Sequence, residues 1–244
     1  MEIKLGCCGW GFFNAKQRIG SDWKLGFKTK LQAYSTLFDL VEVNSTFYKL
    51  PKKETAERWL DEATKLNPGF EFTVKCSQIV THEDRFETEA SIEAYASTLE
   101  IAKALKASVL LLQTPASFKP TKQNLNILNS FLKRIRKPLQ LAWEPRGDWL
   151  KRPNLIKKIC KAHKLIHCVD PLRADPASST RVQYFRLHGF GKQMVYNYRF
   201  SKSELLKILD RVKQVKAERV YVLFNNYYMY ENCLEFKHLI AQVL

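Results

Sequence analysis

The stretch SVLLLQTPASFKPTKQNLNILNSFLKRIRKPLQLAWE, residues 108–144, contains one complete strand-helix-strand unit. It begins with the apolar run Ser108–Gln113 and ends with a second run, Pro138–Glu144. Between them, Thr121–Ile135 has apolar residues three and four positions apart, which is typical of an amphipathic helix. Two strands joined in this way by a crossover helix are the unit from which parallel α/β sheets are built.

The same unit recurs along the rest of the chain. The predicted strands are Ile3–Cys8, Leu40–Ser45, Glu71–Cys76, Ser108–Gln113, Pro138–Glu144, Leu165–Asp170, Val182–His188 and Arg219–Asn225. The predicted helices are Lys52–Leu66, Ser91–Lys106, Thr121–Ile135, Asp148–His163, Ser201–Lys216 and Glu231–Val243. Eight strands with interleaved helices and no visible switch point predict a single (β/α)8 TIM-barrel domain over residues 1–244, with an open doubly wound sheet as the alternative.

One connection between predicted strands lacks a helical pattern. The sixth and seventh predicted strands are separated by DPLRADPASST, Asp170–Thr180, which has two prolines and no helical periodicity. Proline has no backbone N–H and interrupts a helix interior. We therefore expect the sixth helix of the barrel to be missing or reduced.

Composition limits the classes of protein and partner. The chain has 244 residues, with 40 Lys and Arg against 24 Asp and Glu, for a formal net charge of +16. This charge favours anionic partners. No apolar run reaches the roughly 18 residues of a membrane span, and no secretory signal is visible, so we expect a cytoplasmic protein with no membrane partner. Six cysteines without a C-x-x-C pair favour buried thiols over a zinc or disulfide framework.

Polar residues occupy the ends of the predicted strands, where TIM barrels carry their sites. Glu42 and Asn44 alternate with Val41 and Val43, so the valines are expected against the outer helices and Glu42 inside the barrel. A buried carboxylate without a partner is costly. Lys75 shares the inner face of the third strand, and the sequence leaves open whether it pairs with Glu42 or binds a phosphate.

The later strand ends are polar as well. Glu144 and Arg146 resemble an acid beside an anion clamp, and Arg186 and His188 share one face of the seventh strand. We predict four catalytic residues, Glu42, Glu144, Asp170 and His188. The predicted substrate-binding residues are Trp10, Trp23, Asn44, Lys75, Gln113, Arg146, Arg186, Asn225 and Asn226. Without clustered histidines, the cofactor is unknown and a divalent metal stays open. His82 is expected to be an ordinary hydrogen-bonded loop residue.

Positive charge is concentrated in one segment. Between Lys119 and Arg173 there are 14 Lys and Arg and three acidic residues, Glu144, Asp148 and Asp170. Such a run fits a solvated helix surface or a surface for a phosphodiester backbone. KRIRK, Lys133–Lys137, is expected at the bottom of the barrel, away from the strand ends that carry the candidates.

Several motifs occur together in a fixed order over essentially the whole chain. They are VEVNSTFY (Val41–Tyr48), FEFTVK (Phe70–Lys75), the E-x-R-x-x-W of Glu144–Trp149, YFRLHG (Tyr184–Gly189), YNYRFSKSEL (Tyr196–Leu205) and FNN (Phe224–Asn226). In them the chain resembles domain-of-unknown-function family 72, the YecE-like proteins. The resemblance implies a TIM barrel and adds Tyr48 and Tyr198 to the substrate-binding residues. The similarity of that barrel to endonuclease IV implies nucleic-acid processing, although the metal-binding histidines of endonuclease IV are not recognisable here.

Three functions follow as hypotheses. The first is an enzyme acting on a phosphate-bearing substrate, with DNA or RNA as the expected class, by phosphodiester hydrolysis or lyase chemistry. In it Lys75, Arg146 and Arg186 bind phosphate, a glutamate acts as base, and His188 transfers protons near its ordinary pKa. The second is a sugar or sugar-acid isomerase or epimerase, and the third is a nucleic-acid-binding protein without catalysis. The oligomeric state is left open.

Overall fold

The structure, a computed structural model, describes residues 1–177, 180–191 and 196–243. Eight parallel strands close into a barrel in chain order, and the last strand pairs with the first. They are β1 (Glu2–Cys7), β2 (Leu40–Val43), β3 (Glu71–Lys75), β4 (Val109–Gln113), β5 (Gln140–Glu144), β6 (Ile166–Val169), β7 (Val182–Leu187) and β8 (Arg219–Phe224). The predicted (β/α)8 barrel is confirmed. Each observed strand lies within its predicted segment, except that β1 begins one residue earlier than predicted.

Alternate residues of each strand face opposite sides of the barrel wall. The outward residues, such as Val41 and Val43, join the large apolar core beneath the helices. The inward residues form a smaller apolar cluster composed of Cys8, Leu40, Val109, Leu111, Ala142, Ile166, Cys168, Tyr184, Tyr221 and Leu223. Near the strand C-termini this cluster shares the interior with polar side chains, among them Glu42, Glu144 and Arg186.

Helices surround the described barrel. They are α1 (Ala15–Arg18), α2 (Trp23–Gly26), α3 (Lys30–Ser35), α4 (Lys53–Thr64), α5 (Glu89–Ala104), α6 (Lys122–Arg134), α7 (Pro153–His163), α8 (Lys202–Gln214) and α9 (Met229–Val243). The predicted helix Asp148–His163 is divided into a 3-10 segment, Gly147–Lys151, and α7. Pro153 explains the division, because proline is tolerated in the first turn of a helix but not in its interior. The three short helices α1 to α3 lie between β1 and β2, where the sequence analysis predicted no helix.

The connection between β6 and β7 differs from the other crossovers. Its described residues, 170–177 and 180–181, form turns and extended backbone without a helix, as expected from Pro171 and Pro176. Leu172 and Arg173 are turned back over the strand ends, since the Arg173 backbone N–H donates to Asp170 O at 2.9 Å. The side chains of this shortened connection therefore lie at the mouth of the barrel.

No helix in the described part of the chain is both long enough and apolar enough to cross a membrane.

Candidate functional site

Arg186 on β7 forms the centre of a charged cluster inside the barrel. Its side chain is 1% exposed, and its two terminal nitrogens donate to Glu42 on β2 at 2.8 Å and to Glu144 on β5. The other Glu42 oxygen accepts a 2.8 Å hydrogen bond from the Tyr184 hydroxyl, which also lies 2.8 Å from Thr73 Oγ1. Four strands, β2, β3, β5 and β7, are linked in this way, and both carboxylates are charge-paired away from water.

Arg146 continues the cluster from Glu144 towards solvent. Its Nε and one terminal nitrogen lie 2.8 and 2.7 Å from Glu144 Oε1. Burial alone would raise the pKa of Glu144, but the guanidinium groups of Arg146 and Arg186 hold it well below its usual range. Glu144 is therefore an ionised anchor for two arginines, and its side chain is a weak proton acceptor.

His188 lies between the same two arginines. Its Nε2 accepts from Arg146 at 2.9 Å and from Arg186 at 3.3 Å. Burial lowers the pKa of His188 to about 3; Glu144 opposes this lowering, and Arg186 and Arg146 add to it. The expectation of an ordinary histidine pKa was wrong, because the sequence did not reveal that the ring is buried. His188 is neutral near pH 7.

A cavity of about 380 Å³ opens beside this cluster, at the C-terminal ends of β5 to β7. Asp170 lies on its wall, where it accepts backbone N–H groups of Leu172 and His188 at 3.0 and 3.3 Å. Burial raises the pKa of Asp170 above its usual range. The lining residues are Ala116, Glu144, Pro145, Arg146, Gly147, Leu150, Cys168, Val169, Asp170, Arg173, Ala174, His188 and Tyr196.

Two arginines on the cavity wall reach solvent. The side chains of Arg146 and Arg173 are 31% and 37% exposed, in contrast to the 1% of Arg186. Arg173 Nε lies 3.6 Å from Asp170 Oδ2, and its guanidinium stacks 4.6 Å from the centre of the Phe190 ring. Arg146 and Arg173 are therefore the cations available to an anion entering this cavity.

Lys75 and His82 lie on the β3 side of the barrel. Lys75 Nζ is 3.8 Å from the centre of the Phe47 ring, and the His82 ring packs edge-on against the same ring at 4.8 Å. Lys75 does not pair with Glu42, whose ion pair is with Arg186. Burial lowers the pKa of Lys75 to about 8, and burial with nearby Lys75 lowers that of His82 to about 4.

Other predicted residues have local structural contacts. Gln113 is buried and its Nε2 donates to Thr114 O at 3.0 Å, while Asn44 Nδ2 donates to Cys8 O at 3.2 Å. Asn226 Nδ2 donates to Tyr198 O at 2.6 Å and to Asn232 Oδ1 at 3.0 Å. These amides connect neighbouring loops at the rim, and Asn225, at the end of β8, is half-buried.

The aromatic candidates are spread around the rim. Trp10 packs edge-on against Trp59 at 4.9 Å, and Trp23 is half-buried against the apolar core. Tyr48 is 75% exposed, whereas the hydroxyl of Tyr198 bonds to Glu204. None of these four is among the residues lining the cavity in the described chain.

Tyr196 and Arg173 line the cavity but were absent from the sequence predictions. Tyr196 OH lies 3.5 Å from Arg146, and its ring packs against His188 at 5.7 Å. Both residues lie in connections between strands, where no periodicity indicates the direction of a side chain. The available signals were the YNY motif and the helix-free segment after the sixth strand.

The family model described as "Protein of unknown function DUF72" matches residues 4–243. The chain belongs to the DUF72 family. It is 29% identical to the UPF0759 protein YunF of Bacillus subtilis, over 92% of this chain and 88% of YunF. Crystal structures of DUF72 proteins from Enterococcus faecalis and Thermotoga maritima are 21% and 24% identical, with TM-scores of 0.75 and 0.74. They match 98% and 99% of this DUF72 chain and 98% and 100% of their own.

More distant barrels share the fold. A D-psicose 3-epimerase has a TM-score of 0.61 at 12% identity, over 100% of this DUF72 chain and 99% of its own. Endonuclease IV from Thermus thermophilus has a TM-score of 0.54 at 13% identity, over 99% and 98%. Across residues 1–177, 180–191 and 196–243, no group of three or more His, Cys, Asp and Glu side chains is arranged to hold a metal ion.

Proposed function

We propose that this DUF72 protein is an enzyme that acts on a phosphate-bearing substrate, with nucleic acid as the substrate class and phosphodiester hydrolysis or lyase chemistry as the reaction. The observation that carries the proposal is the cavity of about 380 Å³ with the part-exposed guanidinium groups of Arg146 and Arg173 on one wall. Guanidinium groups bind phosphate through paired, charge-assisted hydrogen bonds. The cavity volume is in the range of small-molecule sites.

The geometry suggests a division of roles among the candidates. Arg146 and Arg173 bind the phosphate and offset negative charge in the transition state. Arg186 is too deeply buried to reach substrate, so with Glu42 and Glu144 it positions Arg146 instead. Asp170, with its raised pKa, is the group for proton transfer, whereas His188, with a pKa of about 3, acts as a neutral hydrogen-bond acceptor that positions Arg146.

Nucleic acid as the substrate class is supported by charge. The formal net charge is +16, and most of the excess lies between Lys119 and Arg173. Such an excess accelerates the approach of a polyanion and strengthens its binding. The name of endonuclease IV, one of the structural neighbours, agrees with this class.

The test is cleavage of end-labelled oligonucleotides, single-stranded, duplex and with one abasic site, in EDTA and with Mg²⁺ or Mn²⁺. Arg146→Gln and Asp170→Asn should each lower cleavage at least roughly 100-fold, the size of effect expected for a lost transition-state contact. Arg58→Gln, which removes the same charge from an exposed site on α4, should retain wild-type activity. Wild-type rates in both site variants, or no phosphate-bearing compound bound or cleaved, would contradict the proposal.

Asp170 also favours a second candidate, a sugar isomerase or epimerase. A carboxyl group of raised pKa on a cavity wall can exchange a proton with a carbon next to a carbonyl. Deuterium incorporation from solvent into an aldose or ketose, lost in Asp170→Asn and accompanied by no oligonucleotide cleavage, would select this candidate over the first.

A further inference from the structure

Lys75 differs from the other charged residues inside the barrel because it has no ion-pair partner. It follows Thr73 on the inward face of β3, and Thr73 reaches across the interior to Tyr184. The nearest carboxylate-bearing residues of the cluster, Glu42 and Glu144, are committed to Arg186 and Arg146. Among the described carboxylates, none lies within 4.0 Å of Lys75 Nζ. A half-buried lysine held only by an aromatic ring is poorly explained as a structural salt bridge.

The surroundings of Lys75 are suited to a neutral amine. Its Nζ lies over Phe47, and the side chains of Arg186 and Arg146 oppose a further positive charge. With a pKa of about 8, roughly 300-fold more of the amine is neutral at pH 7 than for an ordinary lysine. Lysines desolvated in this way or placed beside another cation serve as nucleophiles towards carbonyl compounds.

His82 places a neutral imidazole ring beside Lys75. Its ring contacts the same Phe47 ring as Lys75, and Thr81 Oγ1 lies 2.8 Å from Nδ1. The ring is half-buried and neutral near pH 7. Lys75, His82 and Phe47 thus form a second reactive group at the mouth, separate from the wall formed by β5 to β7.

We propose that Lys75 is a nucleophile that forms an imine with an aldehyde group of a phosphate-bearing sugar. The proposal rests on the proposed function for the phosphate and selects its lyase form. The amine nitrogen attacks the carbonyl carbon, a C–N bond forms, and the carbonyl double bond breaks to give a carbinolamine. Both amine protons are transferred to the carbonyl oxygen, relayed by the neutral His82 imidazole or by solvent, and that oxygen leaves as one water when the imine forms.

The imine accounts for bond cleavage without an oxidant. Solvent water accepts a proton from the carbon next to the imine carbon, the electron pair of that C–H bond forms a carbon–carbon double bond, and the C–O bond on the following carbon breaks. The phosphate leaves with the electron pair of that bond. Water then hydrolyses the imine, which returns the Lys75 amine and an unsaturated aldehyde.

The test is reductive trapping in the full-length protein with sodium cyanoborohydride. The probes are an oligonucleotide with one abasic site, glyceraldehyde 3-phosphate, and glyceraldehyde. Mass spectrometry of the intact chain and its peptides should find one adduct per chain on Lys75. Lys75→Arg and Lys75→Met should lower trapping at least 20-fold, while Lys49→Arg, an exposed lysine beyond β2, should trap at the wild-type rate. His82→Gln should slow trapping and shift its pH profile while keeping the adduct on Lys75.

The outcomes separate this inference from the proposed function. Adducts spread over surface lysines, or undiminished trapping in folded Lys75→Arg and Lys75→Met, would overturn the role of Lys75. If Arg146→Gln still abolished phosphodiester cleavage in that case, the proposed function would stand without it. Equal trapping of glyceraldehyde and glyceraldehyde 3-phosphate, unaffected by Arg146→Gln, would support Lys75 as nucleophile and contradict phosphate recognition.

Discussion

His188 is held neutral by its neighbours, and this has a consequence for stability. Its pKa is about 3 in the folded protein, against about 6.5 in an unfolded chain. Below pH 6.5 this histidine is therefore protonated in the unfolded state but not in the folded state, so the free energy of unfolding decreases as the pH falls towards 3. At pH 5 the loss from this residue is about 2 kcal/mol.

Two measurements check this effect. The His188 ring should give the NMR shifts of neutral imidazole at pH 5, and the free energy of unfolding in urea should fall between pH 7 and pH 5. The fall should be smaller in His188→Gln and unchanged in His238→Gln, an exposed histidine on α9. A His188 ring that titrates near pH 6.5 in the folded protein would refute the assignment of a lowered pKa.

Single residues were predictable from the sequence where strand periodicity applies. Glu42, Glu144 and Arg186 lie near strand C-termini at inward positions, so their convergence followed from the alternation of side chains. Their pairing did not, because it depends on distances between strands that are more than 40 residues apart in the chain. The lowered pKa values of His188 and His82 were missed for the same reason.

Gly189, which follows β7, packs closely against Tyr198. Its φ is +90°, and a Cβ added there would lie 2.7 Å from Tyr198 Cγ. Tyr198 in turn bonds to Glu204, the capping-box residue of α8. Gly189→Ala should therefore displace the Tyr198 side chain and lower the free energy of unfolding by about 2–4 kcal/mol, from backbone strain together with overpacking.

A matched substitution separates the two causes. Gly20 also has a positive φ, +134°, but a Cβ there would meet nothing within 4 Å. Gly20→Ala should cost only the backbone strain, about 1–2 kcal/mol, in the same urea titration. Equal losses in the two variants would mean that the contact with Tyr198 contributes nothing.

Whether a helix or strand could be predicted from the sequence depended mainly on its length. β1 to β8 and the longer helices have enough turns or alternations for a period to be visible, and their bounds agree within a few residues. The helices α1 and α2 have four residues each, about one turn, which is too short for a helical period to appear. The lack of a helix over the described residues 170–177 and 180–181 was predictable because proline interrupts a helix interior, and this signal needs no visible period.

Within the basic segment, residues 119–173, charge is distributed unevenly along the barrel axis. Glu144, Asp148 and Asp170, its acidic residues, lie at or just after strand C-termini, at the mouth. At the opposite end, a groove of about 690 Å³ between α6 and α7 is lined by Lys133, Lys137 and His163, among others. It continues past Lys137 to Lys164 in an adjoining cavity of about 470 Å³. No acidic residue is among the described residues that line either cavity.

This groove supports the non-catalytic nucleic-acid hypothesis and allows it to be tested apart from the mouth. The triple variant Lys133→Gln, Lys137→Gln, Lys164→Gln should weaken binding of a fluorescent single-stranded oligonucleotide and lower its logarithmic salt slope by about 2, the counterions released at three lysines. A triple variant of exposed lysines on α8, Lys202→Gln, Lys207→Gln, Lys213→Gln, removes the same charge elsewhere.

Oligonucleotide binding should weaken in the groove variant alone. Binding of inorganic phosphate at the mouth, monitored through the NMR resonance of the His188 ring, should be unchanged in both triple variants. The physical reason is distance: β5 runs from Gln140 beside the groove to Glu144 at the mouth, so an isolated phosphate cannot reach both ends. Equal losses of oligonucleotide affinity in the two triple variants would mean that binding depends on net charge and not on the groove. A change in phosphate binding at the mouth would show that the two ends are coupled through the barrel.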